Sequence, residues 1–260
     1  MSNSVVKVLR LNEGFAYDHR IPMPYGKISY LTKAAPIEGR TNEDAMCIVH
    51  GDNYVFFAVA DGMGGHKSGN KASQIAIEKL AEIVANKTAH TLSQMVGEIE
   101  NIHQEVVDLK LGSGTTLTAC WIVENQARFL SVGDSVGSIF SGKRNLLFKT
   151  LEHSPAGLAL ESGLFSLDDP QLKEEDYYLF NALGLPPLRI EVSGPIELQE
   201  MDYVLLSTDG FTDNLKLEEL AAFLTREEDK RPLEDLETAL ANHMASGGKV
   251  DDATIIVYEN

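Results

Sequence analysis

The stretch FAVADGMGGHKSGNKAS, from Phe57 to Ser73, places one aspartate between an apolar run and a glycine-rich segment. The apolar run has the composition of a buried strand, and a carboxylate that leaves such a strand without a partner carries a large desolvation cost. Asp61 therefore requires a strong partner, which an arginine, backbone N–H groups or a metal ion would provide. The choice among the three depends on the rest of the sequence.

The pattern around this stretch predicts a mixed fold. Strand-like runs rich in β-branched and aromatic residues recur along the chain, and the short polar turns between most of them favour antiparallel pairing. Apolar residues with helical periodicity predict early helices over 70–85 and 92–107 and late helices over 217–224 and 233–244. Consecutive strands with one-sided helices predict an α+β protein, a sandwich of antiparallel β-sheets covered by helices.

The two ends of the chain differ in character. Residues 1–27 combine weak strand character with turn-forming residues, which predicts an N-terminal extension of uncertain order. Residues 28–260 contain no low-complexity linker and no internal repeat, and we expect them to form one domain.

The composition limits the possible partners and the compartment. With 39 acidic and 22 basic residues, the net charge of −17 argues against binding to nucleic acid or to an anionic membrane surface. The two cysteines, Cys47 and Cys120, stand in apolar segments and are expected to be buried thiols in a reducing compartment. No apolar run approaches the ~20 residues of a membrane-spanning helix, so we expect a cytoplasmic protein.

Acidic residues recur at the ends of predicted strands, as in the opening stretch. Any one of them is most simply a cap or turn residue, but the whole set exceeds what ion pairing needs. Mg²⁺ and Mn²⁺ prefer such carboxylate oxygens, and a two-metal site needs a bridging carboxylate to hold the ions about 4 Å apart. Besides Asp61, the set comprises Glu43, Asp44, Asp134, Asp209, Asp251 and Asp252.

Six segments together resemble the metal-dependent protein phosphatases of the type 2C family, specifically its bacterial members. The resemblance covers residues from about 28 to 259, and its segments follow the family's order. The segments are GRTNEDA (39–45), VADGMGGHKSG (59–69), SGTTL (113–117), SVGDS (131–135), LLSTDGFTDNL (205–215) and GGKVDDATIIV (247–257). The resemblance implies a central antiparallel β-sandwich flanked by pairs of helices, an α/β/β/α arrangement of four layers.

The same resemblance implies a set of metal ligands and a reaction. Asp61 would bridge two ions of Mn²⁺ or Mg²⁺, with the Gly62 carbonyl on one ion, and Asp209 and Asp251 would complete the other. A hydroxide bridging the metals would attack the phosphorus of phosphoserine or phosphothreonine directly and in line. Asp61, Asp209 and Asp251 are thus the implied catalytic acids.

Three further acids have supporting roles by the same resemblance. Asp134 matches an aspartate that supports a third, weaker metal ion in bacterial members. Glu43 and Asp44 match the acids that hold metal-bound water, and Asp44 would also touch the third ion. The implied cofactors are therefore two or three divalent ions.

Two positions depart from the family pattern. Arg40 is the candidate for binding the substrate phosphate, because its planar guanidinium matches phosphate oxygens, but the spacer between it and Asn42 is one residue short. A one-residue slip in an extended segment would turn its side chain to the other face. Asp252 replaces the usual asparagine and would either ligate a metal or only accept hydrogen bonds.

The resemblance also implies partners and a mobile flap. Residues 155–182 correspond to the flap, and their acidic side chains either favour basic phosphopeptides or form a solvated surface without a role in recognition. We expect a monomer that acts on a phosphorylated protein and opposes a serine/threonine kinase. The alternatives are a catalytically inactive pseudophosphatase that binds phosphoproteins, and a phosphohydrolase of small metabolites. The flap acids are Asp168, Asp169, Glu174, Glu175 and Asp176.

Overall fold

Two antiparallel β-sheets face each other at the centre of the protein, and helices cover the outer side of each. The computed structural model describes residues 5–64, 68–88, 91–166, 179–224 and 232–260. The strands are β1 (Val6–Leu11), β2 (Phe15–Met23), β3 (Gly26–Lys33), β4 (Asp44–His50), β5 (Tyr54–Met63), β6 (Gly114–Thr115), β7 (Leu117–Val123), β8 (Gln126–Val132), β9 (Val136–Phe140), β10 (Leu146–Lys149), β11 (Glu191–Val192), β12 (Ile196–Glu197), β13 (Tyr203–Ser207) and β14 (Ala253–Glu259). The helices are α1 (Gly69–Ala85), α2 (Leu92–Asp108), α3 (Pro155–Glu161), α4 (Asp209–Thr212), α5 (Leu217–Leu224) and α6 (Pro232–Ala245).

The strand order explains how distant segments meet. Within the described ranges the first sheet has the order β1-β4-β5-β7-β8-β11, with β6 beside β5 and β12 beside β8. The second sheet has the order β10-β9-β13-β14-β3-β2. Helices α1 and α2 pack on the outer face of the first sheet, and α4, α5 and α6 pack on the outer face of the second. The four layers confirm the predicted fold class, and the four predicted helices are all present.

Strand β5 is buried on both faces, which explains its continuous apolar run. Phe57 and Val59 lie in the core between the sheets, whereas Phe56 and Ala58 lie in the core under α1 and α2. Successive strand residues point to opposite faces, so Asp61 continues the set that faces the second sheet. The alternation that builds the core therefore directs this carboxylate toward the other half of the sandwich.

The N-terminal segment differs from the expected extension of uncertain order. Strand β1 pairs with β4 along its whole length, and β2 forms a hairpin with β3 across the expected boundary at residue 28. A register shift between Asp18 and Ile21, where Arg20 has a φ of +53°, keeps the turn-forming residues within an edge strand. The expectation is therefore corrected for residues 6–23, because a bulge absorbs residues that resemble a turn in the sequence.

Removal of residues 1–24 is expected to destabilise the protein rather than leave it intact. Leu9 and Leu11 pack against the core of the first sheet, and Arg10 Nε donates to the Tyr30 hydroxyl at 2.9 Å. The truncation also uncovers an edge of each sheet. We expect the melting temperature, followed by circular dichroism, to fall by roughly 10 °C or more, or the chain to become insoluble. A truncated protein with an unchanged melting temperature would contradict this role.

The remaining expectations concern the flap, the membrane and the thiols. Helix α3 begins inside the predicted flap, with Ser154 Oγ accepting from the Gly157 N–H at 3.0 Å. The flap acids at 168, 169 and 174–176 lie outside the described residues, so the flap remains a prediction. No helix in the described ranges is both long and apolar enough to span a membrane. Cys47 and Cys120 are buried and free, as predicted.

Candidate active site

The candidate site lies where strand ends from the two sheets meet. Asp44 and Asp61 are directly opposite each other in the β4–β5 pair of the first sheet. In the second sheet, β13 runs into Thr208 and Asp209, and the antiparallel β14 begins immediately after Asp252. Thr208 Oγ1 donates to Asp44 Oδ2 at 2.9 Å, which connects the two sheets at this end of the sandwich.

The backbone around Asp61 is held by two threonines that follow the second predicted helix. The Asp61 N–H donates to Thr116 Oγ1 at 2.9 Å, and the Asp61 carbonyl accepts from the Thr116 N–H at 2.8 Å and from Thr115 Oγ1 at 2.9 Å. Thr116 Oγ1 also lies 2.7 Å from Ser135 Oγ, next to Asp134. Thr116 therefore couples the Asp61 strand to the turn that carries Asp134.

Gly62 is required for close packing rather than for an unusual backbone angle. A Cβ atom at this position would lie 2.2 Å from the carbonyl oxygen of Gly69, at the start of α1, and 2.8 Å from that of Glu43. A Cβ atom on Gly69 would in turn lie 2.5 Å from Glu43 Oε1. The two glycines thus allow α1, the Asp61–Gly62 backbone and the Glu43 carboxylate to meet.

The acidic pair before β14 has two different environments. Asp252 is buried, and its carboxylate accepts from the Ala35 N–H at 2.7 Å and from the Glu43 N–H at 2.8 Å. Asp251 Oδ1 accepts from Arg40 at 2.8 Å and from the backbone N–H of Asp252 at 2.9 Å. Of the two alternatives for Asp252, these contacts favour hydrogen-bond acceptance, because both of its oxygens hold the loop that carries Glu43.

Arg40 reaches the acidic cluster despite the shortened spacer. Its guanidinium lies 2.8 Å from Asp251 Oδ1, 3.6 Å from Asp252 Oδ2 and 4.0 Å from Glu43 Oε2. The side chain is about a quarter exposed, so one side of it remains open to solvent. The one-residue slip considered from the sequence has not turned Arg40 away from the site.

Lys249 is a second cation in the cluster, and sequence reasoning gave it no role. Its ammonium group contacts Asp209 Oδ2 at 2.5 Å and Asp213 Oδ2 at 2.7 Å, and lies 3.5 Å from Asp251 Oδ2. Burial alone would lower the pKa of Lys249, but the neighbouring Asp209 and Asp213 raise it above its usual range. The only sequence signal was its position, two residues before Asp251.

Asp134 lies in the turn after β8, and His153 fixes this turn. His153 Nδ1 accepts from the Gly133 N–H at 3.0 Å and lies 2.6 Å from Asn181 Nδ2. The His153 N–H donates in return to the Gly133 carbonyl at 3.0 Å. These contacts join the Asp134 turn to both ends of the predicted flap, another connection that sequence reasoning missed.

The acids act on one another electrostatically. Burial, followed by repulsion from Asp209, raises the pKa of Asp61 well above its usual range, and Asp44, Asp251 and Asp134 add to the effect. Burial and Asp209 also raise the pKa of Asp134, to about 7. The structure therefore brings these acids into one electrostatic cluster, whose mutual repulsion Arg40 and Lys249 offset only on the side of Asp251 and Asp209.

The residues fit a divalent ion, although they are not drawn together around one point. Among the described residues, no three acidic, histidine or cysteine side chains already converge in a coordinating arrangement. Asp44 Oδ1 and Asp209 Oδ1 are nevertheless buried and lack a hydrogen-bond partner within the described part of the chain. Buried carboxylate oxygens without donors are costly, and a hard cation would satisfy them.

Known proteins similar to this chain are protein phosphatases. The protein phosphatase PhpP of Streptococcus pneumoniae is 30% identical over 207 residues, which cover 76% of this chain and 82% of that protein. The structure of the Streptococcus agalactiae serine/threonine phosphatase is 28% identical, with a TM-score of 0.77, and the match covers 90% of this chain and 99% of that one.

A third comparison and the family profile extend the match. The PstP catalytic domain, solved in complex with two manganese ions, shares the fold with a TM-score of 0.69 at 22% identity over 98% of this chain and 99% of that one. The sequence profile described as protein phosphatase 2C matches residues 34–245. The chain belongs to the protein phosphatase 2C family.

Proposed function

We propose that this protein is a metal-dependent serine/threonine phosphatase that hydrolyses phosphoserine and phosphothreonine in other proteins. The observation that carries the proposal is the cluster of carboxylates that both sheets place around Asp61. The pKa of Asp61 is raised by each of its acidic neighbours, Asp209, Asp44, Asp251 and Asp134. Relatives named as serine/threonine phosphatases and the manganese ions bound by the PstP catalytic domain support it. The cofactors would be two or three ions of Mn²⁺ or Mg²⁺.

Four groups would form the main metal site. Asp61 would bridge two ions, with the Gly62 carbonyl on one of them and Asp209 and Asp251 on the other. When bound, such ions lower the pKa of a coordinated water and neutralise charge on a phosphoryl group. The chain contributes rigidity, because Thr116 and the start of α1 fix the Asp61–Gly62 backbone.

Three further acids would support that site from its edges. Asp44, oriented by the Thr208 hydroxyl, would use its free Oδ1 toward an ion or its water. Glu43 would hold metal-bound water from the side of α1, against Gly69. Asp134, in the turn that His153 holds through Gly133, would support a third and more weakly bound ion.

Phosphate release from a phosphothreonine peptide tests the proposed function. We expect release with Mn²⁺ and none with excess EDTA, measured with purified, folded protein. The absence of release in both conditions would overturn the proposal and favour a phosphoprotein-binding pseudophosphatase. Hydrolysis restricted to small phosphate esters would instead indicate a phosphohydrolase of metabolites.

Substitution of Arg40 by alanine is expected to raise the KM for a phosphopeptide about tenfold. A charge-assisted contact with a phosphate oxygen contributes ~1.5–3 kcal/mol, which corresponds to at least one order of magnitude in affinity. Steady-state kinetics at saturating Mn²⁺ measures the change. Arg189→Ala is the matched control, because Arg189 is exposed and pairs with Glu191. Unchanged KM and kcat in Arg40→Ala would remove this residue from the site.

The cellular setting forms part of the same proposal. A cytoplasmic location is consistent with two free, buried thiols, which are typical of reducing compartments. The net charge of −17 favours protein substrates over polyanions such as nucleic acids. We further propose a monomer that reverses the action of a serine/threonine kinase.

A further inference from the structure

Lys249 occupies a position between two proposed metal ligands. Its ammonium group contacts Asp209 Oδ2 and lies 3.5 Å from Asp251 Oδ2, while its third carboxylate partner, Asp213, has no proposed part in metal binding. About a third of the Lys249 side chain is exposed, compared with 21% for Asp209 and 24% for Asp251. The cation thus lies at the mouth of the acidic cluster and reaches inward.

The backbone holds Lys249 in this place. Its carbonyl accepts from Asn214 Nδ2 at 2.9 Å, and the same amide donates to the carbonyl of Gly210, next to Asp209. The N–H of Gly248 donates to the His243 carbonyl at 2.9 Å, which anchors the loop to the end of α6. The lysine is therefore built onto the segment that carries Asp209, and its contacts are not those of an untethered surface side chain.

A divalent ion and an ammonium group on the same two carboxylates would compete, because the two cations repel each other at such short range. Lys249 contacts Oδ2 of both aspartates, whereas Asp209 Oδ1 has no hydrogen-bond partner within the described ranges, so an ion on these carboxylates would lie next to the ammonium group and be repelled by it. Asp213, which is 38% exposed, offers the ammonium group a partner farther out. Movement of Lys249 toward Asp213 would release the inner carboxylates, those of Asp209 and Asp251, without leaving the lysine unpaired.

We propose that Lys249 is an internal counter-ion that holds Asp209 and Asp251 in the metal-free protein and competes with the divalent ion for them. The inference rests on the proposed function, because it takes these two aspartates as metal ligands. It makes Lys249 a positioning residue that lowers metal affinity and stabilises the protein when metal is scarce. Structural damage from its removal would weaken metal binding, whereas loss of a competitor strengthens it.

The test is Mn²⁺ titration of the full chain by isothermal calorimetry, without substrate. Lys249→Met is expected to lower the Kd for Mn²⁺ about tenfold, equivalent to one close charge contact, and to lower the melting temperature in EDTA. Lys249→Arg keeps the charge and is expected to bind within about twofold of the wild type. Lys79→Met is the charge control, because Lys79 pairs with Glu105 at 3.3 Å on the outer helices.

A second variant keeps the inference testable if Lys249→Met does not fold. Asp213→Asn removes the outer partner, so Lys249 should remain on the inner carboxylates and the Kd for Mn²⁺ should rise. An unchanged or lower Kd in Asp213→Asn alone would overturn the inference. Where Lys249→Met folds, the same change in that background should have little effect, because no ammonium group is left to redirect.

The outcomes separate the two claims. An unchanged or higher Kd in Lys249→Met, with measurable binding by the wild type, would overturn the counter-ion role and leave the proposed function standing. Equal effects of Asp213→Asn in both backgrounds would overturn it as well. No Mn²⁺ binding by any variant would overturn both the counter-ion role and the proposed metal site.

Discussion

Replacement of Asp61 by asparagine is expected to reduce kcat for phosphopeptide hydrolysis by about 10³-fold, since a bridging carboxylate that positions metal ions accounts for several kcal/mol of transition-state stabilisation. Asparagine keeps the shape of the side chain but removes the charge that would attract two cations. The Kd for Mn²⁺, measured by calorimetry, should rise in parallel. Turnover within about twofold of the wild type would exclude Asp61 as the bridging ligand.

The stability of the same variant provides an internal control. Burial and repulsion from Asp209 raise the pKa of Asp61, so the folded protein disfavours the charged carboxylate. This cost is absent below the ordinary carboxyl pKa and grows as the pH rises above it. In EDTA at pH 8, Asp61→Asn should therefore melt at a higher temperature than the wild type, and the difference should shrink toward pH 4. A lower melting temperature at pH 8 would attribute the lost activity to damage of the fold.

Gly62→Ala is expected to lower stability by about 3 kcal/mol and to abolish metal-dependent turnover. The added Cβ would lie 2.2 Å from the Gly69 carbonyl oxygen and 2.8 Å from that of Glu43, and both obstacles are backbone atoms. Backbone cannot move aside as a flexible side chain does, so the start of α1 must shift away from β5. Thermal unfolding should show a melting temperature lower by roughly 10 °C.

Gly97→Ala is the matched control for this substitution. Gly97 lies inside α2, and a Cβ atom there has nothing within 4 Å. Alanine favours a helix over glycine by about 0.8–1 kcal/mol, so the melting temperature should rise and the activity should not change. Equal effects of Gly62→Ala and Gly97→Ala would contradict the close packing inferred at Gly62.

Periodicity and strand-end chemistry predicted much of the fold. The apolar runs correspond to strands because the inner strands of both sheets are buried on one or both faces, as β5 shows. The N-terminal strands were predicted only weakly because they lie at sheet edges, where β2 accommodates Pro22 and a bulge between Asp18 and Ile21. Edge strands carry weaker apolar patterns, so composition alone separates them poorly from loops.

The acids of the candidate site were predicted from the sequence, but the groups that position them were not. These groups act through hydrogen bonds between segments that are distant along the chain, and no local sequence pattern predicts such contacts. They are Thr116, Thr208 and His153. Lys249 was missed for a related reason, because α5 and α6 separate it along the chain from its partners Asp209 and Asp213. The metal-ligand roles of the acids and the phosphate-binding role of Arg40 remain predictions.

The cross-strand pair of Asp44 and Asp61 also bears on how the chain tolerates insertions and deletions. A shift of one residue between β4 and β5 would turn the side chains of the displaced strand to the opposite face, so either Asp44 and Met46 or Asp61 and Phe57 would leave the core between the sheets. The short connection at 51–53 is therefore under the same constraint as the site at the opposite end of the strands. A change in the length of this connection that shifts the β4–β5 register should therefore prevent folding as well as catalysis, because the same misalignment displaces both core residues and site residues.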